Sequence, residues 1–149
     1  MSQELEGAVY HEAGHAVAHW YFSHQIESVT IKPEIDSHGD VISVGKVNVK
    51  RPPDIVKAHE EHEMLTAEQR QFEDENIVAV YAGRCAEARH DNHEGLDAAA
   101  YAYAEARARQ LVDARWELIE AVAAALLERE TLSGSELGEV LDEAHGLAS

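Results

Sequence analysis

The feature that most constrains this chain is five residues long: His11-Glu12-Ala13-Gly14-His15. Two imidazoles four positions apart stand one turn above each other only if the backbone through them is α-helical. So placed they can hold one zinc ion, with the Glu12 carboxylate beside the water that the ion activates. The pattern demands a helix through 11–15, a further ligand from elsewhere, and a scaffold that brings the two together. The chain has 149 residues, with 10 histidines and 29 acidic residues. At that composition such a pattern arises by accident roughly 0.1 times per chain. The plainer reading is two surface histidines on an amphipathic helix.

The surroundings predict a helix over 3–22. Leu5, Val9, Ala13, Ala16, Val17 and Trp20 recur at spacings of three and four and form an apolar stripe. His11 and His15 fall on an adjoining face, about 40° apart in projection. Gly14 costs helix stability, and its missing side chain leaves room for another backbone or a substrate. Residues 26–32 and 40–50 alternate apolar and polar positions and are rich in β-branched residues. A turn cluster at Asp36-Ser37-His38-Gly39-Asp40 separates them, which predicts a β-hairpin, with a bulge or close backbone approach at Gly45. A zinc peptidase needs an exposed strand edge to hold an extended peptide, and the second strand is the candidate.

Pro52 and Pro53 end that strand. An acidic short helix or loop is expected over 54–64; His59 and His62 there read as a solvated face rather than a ligand pair. Thr66 and Gln69 form a capping box for a helix to about Arg89, with Phe72, Ile77, Val80, Tyr81 and Ala88 as its apolar side. Cys85 on that helix reads as a small core residue, not a nucleophile. A loop from His90 to Gly95 follows. From Leu96 to about Arg129 the sequence is Ala-rich and helical, without Pro or Gly, with room for an unmarked break near 110–115. Leu111, Trp116, Ile119, Val122, Ala123, Leu126 and Leu127 form its core stripe. Ser133 and Glu136 form a second capping box, opening a last helix to about Ala144.

The expected fold class is therefore mainly α with a small β-hairpin or sheet (α+β), in a single domain spanning 1–149. Net charge is −17, which argues against nucleic-acid and anionic-membrane partners. No apolar run reaches the roughly 18–20 residues that cross a bilayer. The acidic start and the lone Cys85 give no sign of a secretory signal or a disulfide framework, so the expected location is cytoplasmic.

A catalytic zinc takes three protein ligands and keeps a position for water. His19 continues the four-residue series but lies about 12 Å along a straight helix from His11, too far to share the ion. Glu87, His90, Asp91, His93, Glu94 and Asp97 are the downstream candidates, and the chemistry of the residues does not choose among them.

Several stretches in order resemble the protease domain of the FtsH family of ATP-dependent zinc metalloproteases. They are His11-Glu12-Ala13-Gly14-His15-Ala16-Val17, then Ser28 to Pro33, then Ala82-Gly83-Arg84-Cys85-Ala86-Glu87, then Glu128 to Leu137. The resemblance implies a zincin-like FtsH-type peptidase domain with zinc as cofactor, held by His11, His15 and Asp97, and with Glu12 as general base. Asp97 matches the family's third ligand. Leu96 replaces the usual Asn before it and a His-rich loop precedes it, which keeps His93 and Glu94 as substitutes. Glu87 is read as hydrogen-bonding a ligand imidazole, or as pairing with Arg84 on its own helix. Tyr101 is a weak candidate for stabilising the oxyanion. The implied substrate is a peptide or unfolded protein. The chain has no Walker phosphate loop, so the resemblance implies peptidase chemistry without an ATPase of its own. A homo-oligomer and a separate ATPase partner remain open. The rival readings are a catalytically inactive, zinc-stabilised binding or regulatory module, and a hydrolase acting on a non-peptide amide.

Overall fold

A computed structural model of the chain describes residues 3–43, 45–92 and 102–148. Helix α1 (Gln3–Tyr21) is the element around which the others pack. Its Val9, Ala13, Ala16, Val17 and Ala18 are completely buried. Strands β1 (Ile26–Thr30), β2 (Glu34–Ile35), β3 (Val41–Ser43) and β4 (Lys46–Val49) follow, then helices α2 (Pro53–Glu60), α3 (Ala67–His90), α4 (Ala102–Ala114) and α5 (Trp116–Arg129). Strand β5 (Thr131–Ser133) and helix α6 (Gly134–Ala148) close the order. The class is α+β, mainly helical. Among the described residues no helix is long and apolar enough to cross a membrane.

The expected simple hairpin is divided in two. β1 pairs antiparallel with β4, from Ile26 opposite Val49 to Thr30 opposite Lys46. The tip between them carries its own two-stranded ladder, β2 with β3. Asp36 closes that tip, its Oδ1 accepting from the backbone N–H groups of His38 and Asp40. The sheet has a third strand that periodicity did not predict: β5 pairs antiparallel with the other side of β1, Val29 opposite Leu132. Three residues are too short for an alternation to register. The order β4-β1-β5 makes β1 central and leaves β4 at an edge.

α1 and α3 approach closely because their contact is built from small residues. A Cβ on Gly14 would lie 2.6 Å from the Ala82 carbonyl oxygen and 2.7 Å from the Ala86 Cβ. The buried face of α3 is Val78, Ala79, Ala82, Gly83, Cys85 and Ala86. That differs from the expected stripe: Val80 is 46% exposed. Ile77 and Tyr81 of that stripe do pack partly buried against the core, but the tight contact with α1 is made by alanine and glycine. Both capping boxes form. Thr66 and Gln69 bond reciprocally at the start of α3, as do Ser133 and Glu136 at the start of α6. Pro52 and Pro53 do more than stop a strand: Pro52 is the N-cap of α2 and Pro53 its first residue. The helical run expected to Arg129 breaks at Arg115 (φ −123°, ψ 29°), between α4 and α5, at the edge of the 110–115 stretch that leaves room for a break. Its expected start, 96–101, lies outside the described residues.

Candidate metal centre

The i, i+4 spacing on α1 sets His11 and His15 edge to face, ring centroids 4.5 Å apart. One ligand atom each from His11, Glu12 and His15 lies within 4.8 Å of the others. Among the described residues no other group of three metal-ligating side chains converges in this way. Glu12 is 8% exposed.

Helix α3 orients both rings. His11 Nδ1 is 2.9 Å from Glu87 Oε1, and His15 Nδ1 is 2.7 Å from the Ala79 carbonyl oxygen. A carboxylate and a carbonyl can only accept, so both Nδ1 atoms carry the proton. In the neutral rings the Nε2 atoms are then the bare nitrogens. That is the tautomer a metal-ligating histidine needs, fixed from behind by a hydrogen bond. His15 also needs space. A Cβ on Gly83 would run into its imidazole, so Gly83 is the seat of that ring. On the opposite side Gly45 lies against Glu12, where a Cβ would meet the Glu12 Cγ at 2.7 Å and the Thr30 carbonyl at 2.9 Å.

Burial, and then the nearby Glu87 carboxylate, push the Glu12 carboxyl up to about 7. Burial lowers His15 to about 4, helped by His11 and opposed by the Ala79 carbonyl. His15 is therefore neutral at pH 7. Two imidazoles whose Nδ1 atoms are anchored from behind, beside a carboxylate, form the donor set that zinc takes in hydrolytic sites, and the residues fit the ion.

No protein-family model matches the chain, and no curated protein matches it either. Its chemistry is therefore read from the site.

The remaining sequence candidates fall in different places. Glu87 stands behind His11, while Arg84 reaches over the Tyr81 ring, 5.8 Å from its centroid. His90 ends α3 stacked on Tyr10 at 4.0 Å, away from the three converging residues. Asp91 caps α3 beside Gly7, and its buried Oδ1 has no hydrogen-bond partner among the described residues. His59 lies 3.6 Å from Glu73 and is half exposed. Asp97, His93, Glu94 and Tyr101 lie outside the described residues.

A groove of about 390 Å³ opens over the site. Glu12, His15 and His19 of α1 form its floor, β4 and Gly45 one wall, and Phe72, Asn76 and Val80 of α3 the other. The strand walling it is an edge strand of the sheet. Sequence reasoning missed the Ala79 carbonyl, which no side-chain pattern can flag, and the role of Gly83. A glycine inside a helix costs about 1 kcal/mol relative to Ala, so its presence is a signal that something packs there.

Proposed function

We propose that this chain is a zinc-dependent metalloendopeptidase, a single zincin-like domain of the FtsH type over 1–149. One observation carries the reading: His11 and His15, each with Nδ1 anchored by α3, converge with Glu12, and Glu12 and His15 line a groove walled by an edge strand. His11 and His15 hold zinc, with Asp97 as the third ligand and His93 or Glu94 as its substitutes. When bound, the ion acidifies water and polarises a carbonyl.

The residues of the chain supply the rest. Glu12 takes the proton of the attacking water as its oxygen bonds to the carbonyl carbon. It then delivers that proton to the amine nitrogen as the C–N bond breaks. Because burial holds Glu12 near neutrality, it can work in both directions at ordinary pH. β4 holds an extended polypeptide by main-chain hydrogen bonds, which suits peptides or unfolded proteins as the substrate class. An ATPase, where one takes part, acts as a separate partner. The net charge of −17 disfavours nucleic-acid and membrane surfaces as partners.

The test is cleavage of an unfolded protein and of peptides by zinc-loaded wild type beside Glu12→Gln. Wild type is expected to cleave. The variant is expected to bind zinc equally and lose hydrolysis by at least about a hundredfold, the usual worth of a positioned base. Equal activity of the two removes Glu12 as base. Zinc binding with no proteolysis by either favours the non-catalytic, zinc-stabilised module. Zinc affinities of Asp97→Ala, His93→Ala and Glu94→Ala identify the third ligand.

A further inference from the structure

The groove floor carries a second imidazole system that the hydrolytic reading leaves unused. His19, one turn beyond His15, is 6% exposed and lines the groove. Its Nδ1 lies 2.9 Å from His24 Nδ1. On the far side, His24 Nε2 lies 3.1 Å from Glu75 Oε1. The His24 side chain is 4% exposed and packs against Phe72 at a tilt, ring centroids 4.5 Å apart and planes 44° from parallel.

These contacts dictate where the protons sit. The Glu75 carboxylate accepts, so His24 Nε2 donates. In a neutral ring His24 Nδ1 is then an acceptor, and His19 Nδ1 must donate to it. The proton of a neutral His19 is thereby committed away from the groove. Its Nε2 is left as a bare acceptor on a floor bordered by Phe72, Val49 and Val80. Burial, with His24 and His15 nearby, keeps His19 uncharged, its pKa lowered to about 3.

We propose that this acceptor is a specificity subsite, in which His19 Nε2 takes a hydrogen bond from a neutral donor carried on an apolar side chain of the bound polypeptide, best met by tyrosine. An aromatic body suits Phe72 and the valines, and a phenolic hydroxyl supplies the donor. Lys46 also lines the groove and disfavours a cationic side chain there, while Arg51, which lines it too, is paired with Glu73. Glu75 and His24 act through His19 by fixing its tautomer, so they are positioning residues. The proposal rests on the reading of the groove as a polypeptide site, but not on hydrolysis.

The experiment uses zinc-loaded, ¹⁵N-labelled Glu12→Gln chain at pH 7.5, so that bound peptides stay intact. The probes are two unstructured peptides that differ only in one residue, tyrosine or phenylalanine. His19 is expected as the Nδ1–H tautomer. Its Nε2 resonance should move upfield with the tyrosine peptide and stay still with the phenylalanine one. Affinity should favour tyrosine about tenfold, the worth of one added hydrogen bond. A further His19→Phe change should bring that ratio to about one, and Glu75→Leu should reduce it by freeing the His24 tautomer, with both variants checked for an unchanged fold by circular dichroism. A proton on His19 Nε2, equal affinities, or failure of both peptides to bind overturns the proposal. Binding as described without cleavage by wild type sinks the hydrolytic reading alone. Cleavage by wild type with His19 Nε2 protonated sinks the subsite alone.

Discussion

A single methyl group at position 83 would test how the site is held. The Cβ of Gly83→Ala collides with the His15 imidazole, so the ring must leave the Ala79 carbonyl or α3 must move. Overpacking of this kind costs about 1–3 kcal/mol, against about 1 kcal/mol gained in helix propensity. Zinc affinity by chelator competition should fall at least about tenfold, the lower bound for loss of an orienting hydrogen bond. Unchanged affinity would mean that His15 is not seated by α3. At the same scale, titration of Glu12 sets a pH dependence. Its folded pKa of about 7 lies above the ordinary 4.5, so its contribution to stability is full at low pH and lost as pH rises through 7. His15 and His19, lowered to about 4 and about 3, act oppositely. Their contribution is present above pH 6.5 and lost as pH falls toward those values. Metal-free wild type should therefore lose thermal stability relative to Glu12→Gln as pH rises from 4.5 to about 7, by several degrees, and level off above. Parallel profiles would show that Glu12 titrates normally.

The elements record where sequence reasoning reaches and where it stops. α1 is legible because its stripe and its motif are both local patterns. The β1–β4 pairing is legible because a turn cluster stands between two alternating runs. The face of α3 is legible only in part: Ile77 and Tyr81 reach the core, but alanine and glycine carry the tight contact, and hydrophobic periodicity looks for larger residues. The stop at Arg115 carries no glycine or proline to announce it. For the site, the convergence of His11, Glu12 and His15 follows from helical spacing. Glu87, Ala79 and Gly83 are more than 60 residues away, and their placement depends on how α3 docks on α1. That docking predicts a substitution of its own. Gly14→Ala would press a methyl onto the Ala82 carbonyl and the Ala86 Cβ. Separation of the helices should outweigh the propensity gain and destabilise the chain by about 1–2 kcal/mol, read as a lower midpoint in urea unfolding. A stabilised Gly14→Ala would refute the close packing.

For the whole molecule, a metal held by α1 is bound by the same helix that organises the core. Binding to the folded chain alone should stabilise it by about 2.7 kcal/mol at free zinc a hundredfold above its Kd. For a chain of this size that is a rise in Tm of roughly 5–10 °C, reversed by chelator. A melting temperature indifferent to zinc would show that the histidines do not hold the ion in the folded state.

The central strand of the sheet has a consequence for how such a protein is made. β1 finds one partner, β4, within about 20 residues, but its other partner, β5, comes a hundred residues later. A nascent chain can close the hairpin early, yet one side of β1 stays bare until Thr131–Ser133 leave the ribosome. Long-range pairing of this kind is slow, and an open strand edge invites other chains. Completion of the sheet is thus tied to late synthesis, and until then the bare side of β1 is the place where a half-made chain is most exposed to its neighbours.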